Sequence, residues 1–169
     1  GRRNLLLNMS NQAPNEIEKL QQTATKFRSI YENNEDAILL THSNGHVITA
    51  NIAACNLFGM TLEEMKKTNR QNILVYDKKL TQANMEREKT GKSKAELTFK
   101  HKNGTTFQGE ATVSNFTDSD GQIKDCIIIR DTTQRQQAEN TLKESQQRFQ
   151  AMFNYIGLGI AMVSIDGKI

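Results

Sequence analysis

Between residues 95 and 113 apolar and polar side chains alternate with a period of two. Ala95, Leu97 and Phe99 stand against Glu96, Thr98 and Lys100, then Phe107, Gly109, Ala111 and Val113 against Gln108, Glu110 and Thr112. This pattern predicts two strands with one buried and one wet face, and Asn103-Gly104 between them predicts a hairpin turn. Upstream, residues 37–41 and 46–50 flank a second Asn-Gly turn at Asn44-Gly45. Downstream, Asp120-Gly121 leads into a strand over residues 123–130, whose run Cys126, Ile127, Ile128, Ile129 is apolar at successive positions and predicts a central place in the sheet.

The forty residues between the first hairpin and the third strand are helical in pattern. Asn51 heads a helix that Gly59 stops; Thr61 and Glu64 form a capping box; Asp77 opens a third helix that runs to Thr90 and ends at Gly91. Two strands, a helical crossover and three strands predict an α+β fold: a five-stranded antiparallel sheet with helices on one face, flanked by N- and C-terminal helices.

Both flanks carry apolar stripes. Pro14 and Asn15 are expected to open the first helix, over residues 15–34, with Asn15 as cap and Glu18 as its partner, leaving residues 1–14 irregular. Ile17, Leu20, Ala24, Phe27 and Tyr31 then recur at a/d spacing. Ala138, Leu142, Ser145, Phe149 and Met152 repeat the rhythm in a connecting helix over residues 134–153. Two readings stay open: the stripes dock on the domain's own sheet, or they pair with a second copy in a homodimer.

Residues 27–47 recur as residues 149–169, with Phe27, Ile38 and Gly45 matched by Phe149, Ile160 and Gly167, each 122 positions on. A repeat in register marks a tandem module. It places a core unit at residues 35–133 and the start of a second, truncated one at residues 154–169, as expected of a piece of a longer protein.

Charge excludes one class of partner. The 22 Lys and Arg residues are interspersed with 19 Asp and Glu for a net +3, without the basic stripe and interleaved aromatics of a nucleic-acid surface. No stretch approaches the roughly 20 apolar residues of a membrane span, so no direct membrane contact is expected. Cys55 and Cys126 have no partner at metal-ligand spacing and read as small buried hydrophobes in a reducing, cytoplasmic setting. No nucleophile, base and acid arrangement or phosphate-cradling glycine loop stands out, so no catalytic residue is assigned.

The motifs together resemble the PAS sensory domains with their C-terminal PAC segment. The matching pieces are the first strand and its Asn44-Gly45 turn, Asn51-x-Ala53-Ala54-x-x-Leu57-x-Gly59, Lys102-Asn103-Gly104, and Arg130-Asp131-Thr132-Thr133-Gln134-Arg135. Thr132 departs from the family's usual Asp-Ile-Thr. The resemblance implies a small-molecule pocket between sheet and helices, with Phe58, Met60, Met65, Met85, Leu97, Phe99 and Phe107 as candidate lining; the alternative is that these side chains simply fill the core. It implies a relay at Asp131 and Thr133, with Asp131 capping the exit helix. It also implies an output domain downstream, a histidine kinase before a diguanylate cyclase or transcription regulator; a ligand-free dimerisation scaffold is the rival from another class.

Two cofactor chemistries known in such relatives lack their residues. A haem-ligating histidine is missing from the third helix, since His42, His46 and His101 lie at hairpin turns, and the stretch Lys67-Thr68-Asn69-Arg70-Gln71-Asn72 lacks the flavin-reactive cysteine. No cofactor or metal is expected; an unidentified small molecule is the remaining ligand.

Overall fold

The computed structural model describes the backbone of residues 2–165 and the side chains of residues 15–156. Its order is α1 (Arg2–Glu32), β1 (Ala37–His42), β2 (Val47–Ala50), α2 (Ile52–Phe58), α3 (Leu62–Lys66), a short 3-10 turn (Arg70–Ile73), α4 (Lys78–Thr90), β3 (Lys92–Lys100), β4 (Thr106–Thr117), β5 (Ile123–Asp131) and α5 (Thr133–Ile165). All pairings are antiparallel and the sheet order is β2-β1-β5-β4-β3. The expected strand order along the chain holds, and β5 is central as its apolar run predicted.

The crossover helices start and stop where their caps dictate. Asn51 accepts from the Ala54 N–H, Thr61 and Glu64 close a reciprocal capping box, and Asp77 accepts from the Leu80 N–H. Gly59 and Gly91 end α2 and α4 in the left-handed conformation, at φ 67° and 73°. These helices cover one face of the sheet. Phe58, Phe99 and Phe107 form an aromatic cluster with centroids 5.3–6.1 Å apart, and Leu39, Met65 and Ile129 are almost wholly buried with it.

The flanks differ from expectation in two places. The segment expected to be irregular is helical from Arg2, so Asn15 lies inside α1 and is not its cap. Leu, Met, Gln, Glu and Lys lie on both sides of Pro14, and their helical propensity carries the helix across a residue that ordinarily costs it about 3 kcal/mol. At the other end α5 continues to Ile165, where the repeat predicts a strand. The first copy of that strand is held between β2 and β5. Among the described residues no strand pairs with the second copy, and a helix satisfies its own backbone where a lone strand cannot. The Asp166-Gly167 turn expected there lies outside the described residues.

Candidate functional site

Between the sheet and α4 lies a cavity of about 40 Å³. Leu97 and Phe99 of β3, Ile127 and Ile129 of β5, and Leu80 and Ala83 of α4 give it apolar walls. Arg70, Asn84, Arg87 and Ser93 make one part of its lining polar. Arg70, Asn84 and Arg87 also line an outer cleft of about 300 Å³, bordered by Ser43, Gln71, Tyr76 and Glu88. The two arginines therefore stand between a largely apolar interior and an open polar recess.

Asp125 of β5 fixes them. Its Oδ2 accepts from Arg70 Nη1 at 2.5 Å and from Arg87 Nη1 at 2.9 Å. Asp125 is 3% exposed at its side chain, Arg70 14% and Arg87 13%. Burial first, then the neighbouring Arg70 charge, pull the Arg87 guanidinium below its usual value, against the opposing effect of Asp125. This trio was missed in the sequence, although Leu80, Ala83, Asn84 and Arg87 sit at i, i+3, i+4 and i+7 and so place an arginine on the buried stripe of α4.

Of the seven residues expected to line a pocket, Leu97 and Phe99 do so. Phe58, Met65 and Phe107 fill the core beside it, and Met60 is half-buried against that core. Met85 is 57% exposed, which removes it from any internal site: it lies across the α4 axis from Leu80, Ala83 and Arg87.

Asn51 does more than cap α2. Fully buried, its Oδ1 accepts from both Ala54 N and Ile38 N at 2.9 Å, while its Nδ2 donates to the carbonyls of Tyr31 at 3.0 Å and Asp36 at 3.1 Å. One side chain thus joins the end of α1, the start of β1 and the start of α2. A second tie lies close by: Arg130 grips Asp36 through two parallel bonds, Nε to Oδ1 at 3.0 Å and Nη2 to Oδ2 at 2.7 Å.

The two residues expected to form a relay flank the junction of β5 and α5. Asp131 pairs with Gly109 as the last residue of the strand, and the Thr132 carbonyl accepts the first helical bond, from Gln136 N at 2.9 Å. Thr132 links strand and helix, and Thr133 is the first helical residue. His101 also differs from a solvated turn histidine: its Nδ1 lies 2.6 Å from the Leu57 carbonyl and its ring packs 4.6 Å from Phe107. Both thiols are half-buried, and burial pushes Cys55 and Cys126 up. Along α1, Ile17, Leu20 and Phe27 are 57–71% exposed and Ala24 is exposed, while Tyr31 is half-buried and stacks on Phe27. From Ile17 to Phe27 the seam does not dock on the domain's own sheet; only Tyr31, at its end, is half-buried there.

The PAS domain family model matches residues 35–134, more than half of the chain and the whole of the sheet with its crossover helices. The chain belongs to the PAS domain family. Sporulation kinase E of Bacillus subtilis is 30% identical over 137 residues, which are 80% of this chain and 18% of that protein; the chain thus spans about a fifth of the relative's length. Among solved structures, the PAS domain of an HTR-like protein from Haloarcula marismortui superposes with a TM-score of 0.60 at 19% identity, covering 70% of this chain and 98% of that one. A PAS domain from a two-component sensor histidine kinase gives 0.57 at 18% identity, covering 66% and 98%. This PAS domain is thus a sensory unit homologous to part of a sporulation kinase. Among the described residues no cluster of three or more His, Cys, Asp or Glu is placed to hold a metal, and no helix is long and apolar enough to cross a membrane.

Proposed function

We propose that this PAS domain is an input module of a cytoplasmic sensor histidine kinase, in which the state of the cavity beneath the sheet is passed through β5 to α5 and on to a kinase core in the same chain. The observation that carries the reading is the course of β5. Ile127 and Ile129 line the cavity, Asp125 holds its arginines, and six residues beyond Asp125 the strand ends at Asp131, with α5 beginning at Thr133. A displaced cavity wall therefore acts on the strand that leads into the outgoing helix. Asp131 and Thr133 bracket the hinge, and the exposed seam of α1 pairs two copies so that their outgoing helices respond together. The kinase output is supported by the similarity to Sporulation kinase E, and the 122-residue repeat supports a second PAS unit after this one.

The test needs no ligand. Ala111 lines the cavity from β4 and is 3% exposed, so Ala111→Val adds two methyl groups to a space of about 40 Å³ and imitates occupancy. Amide hydrogen exchange over residues 132–142 should change while the far end of the sheet stays protected. Identical exchange in that helix, in a variant that still folds, would refute the relay.

A further inference from the structure

The charges around the cavity do not balance. Two guanidiniums meet one carboxylate, Asp125, and both use the same oxygen of it. The trio sums to +1 (two cations less one anion) at side chains between 3% and 14% exposed. Buried charge is ordinarily paired, and an excess cation in such a place favours an anion beside it. Glu88 borders the outer cleft but is solvent-exposed, and it acts on Arg87 through space without forming an ion pair.

Beyond Arg70, Asn84, Arg87 and Ser93 the lining is apolar, and the space is small. A volume of about 40 Å³ admits on the order of three heavy atoms, since a single water requires roughly 10–15 Å³ by the same measure. Leu97, Phe99 and Ile127 offer no hydrogen bond to whatever fills it. A cationic side and a short, largely apolar interior together define a ligand with one anionic head and a brief hydrocarbon tail.

We infer that the sensed molecule is a short-chain monocarboxylate of about two to four carbons, its carboxylate held by Arg70 and Arg87 and its tail among Leu97, Phe99 and Ile127. The inference rests on the sensory reading of this cavity and deepens it. With the ligand in place two carboxylates face two guanidiniums, and the planar forks of arginine suit such a head better than a point charge does.

Titration calorimetry on the 169-residue chain compares propanoate with propanamide, octanoate and inorganic phosphate. Propanamide keeps the shape and loses the charge; octanoate keeps the charge and exceeds the space; phosphate has charge without a tail. Propanoate should bind, with the other three at least about tenfold weaker, and Arg87→Gln should weaken propanoate by about tenfold or more, with Arg87→Lys between. Because the comparison of ligands uses the unaltered protein, it stands even if Arg87→Gln fails to fold. Equal binding of propanamide, equal binding of phosphate, or no heat from propanoate at millimolar concentration would each overturn the inference. Should Ala111→Val change exchange in α5 while no carboxylate binds, the relay stands and the ligand class fails; should propanoate bind while neither it nor Ala111→Val alters α5, the ligand class stands and the relay fails.

Discussion

Asn51→Ala separates a helix cap from a structural joint. A side chain that only capped α2 would be worth about 1 kcal/mol, within the 0.5–2 kcal/mol usual for such positions. Asn51 makes four bonds at 2.9–3.1 Å from a site with no exposure, so its loss strands two N–H donors, Ile38 and Ala54, and two carbonyls, Tyr31 and Asp36. Each stranded group costs roughly 1–3 kcal/mol in full desolvation, and water entering the space left by the side chain meets part of that; a total of about 3–5 kcal/mol follows. In a domain of about this size the midpoint of thermal unfolding should fall by roughly 12–25 °C. Urea unfolding followed by circular dichroism gives the free energy, with an unchanged slope as the check on two-state behaviour. Thr61→Ala serves as the cap reference, since Thr61 is exposed and its side chain accepts the Glu64 N–H bond. A loss at Asn51 no greater than that at Thr61 would refute the joint.

Three further outcomes are expected. A Cβ at Gly109 would stand 3.1 Å from Ile129 Cγ2 and 3.1 Å from Phe99 Cε2, so Gly109→Ala should destabilise by about 1–3 kcal/mol through crowding alone, measured by the same urea titration. Glu64 is held below the ordinary glutamate value, chiefly by the Lys102 hydrogen bond and then by the Thr61 backbone; its contribution is present above that ordinary value and is lost as pH falls through the lower folded-state value. An NMR titration should find the Glu64 midpoint moved up in Lys102→Met, and an unmoved midpoint would exclude Lys102 as the cause. Replacing Leu20 and Phe27 with Glu should shift the mass seen by light scattering toward monomer, and a parent protein already monomeric at high concentration would discard the seam.

The parts of the fold governed by local chemistry were legible in the sequence. Period-two alternation set the two arms of the β3–β4 hairpin, and the cap at Asp77 and the stop at Gly91 set the ends of α4. What depended on distant partners was not. Asn51 advertises a cap three residues from Ala54, whereas its bond to the Tyr31 carbonyl spans 20 positions of chain. The Arg70–Asp125 and Arg87–Asp125 pairs span 55 and 38 positions; the phase of α4 puts Arg87 on its buried stripe, but nothing local names Asp125 as the partner. Met85 was misplaced by residue type, because a flexible apolar side chain suits a pocket; helical phase, which places it across from Leu80, was the better guide. Likewise the strand expected near Ile160 came from a match to residues whose form depends on neighbours.

Ala37 at the start of β1 lies opposite Ile129 near the end of β5, and the Asp36–Arg130 grip closes the gap just outside that pair. The chain therefore comes into the sheet and leaves it at the same place, as two threads pass through one buttonhole. A unit built this way can be spliced into a longer polypeptide, or copied behind itself, with little effect on the separation of the segments it interrupts. The recurrence of residues 27–47 at an offset of 122 has the form that such copying would leave behind. Duplicating such a unit would require no new interface to be invented, because its two ends already meet.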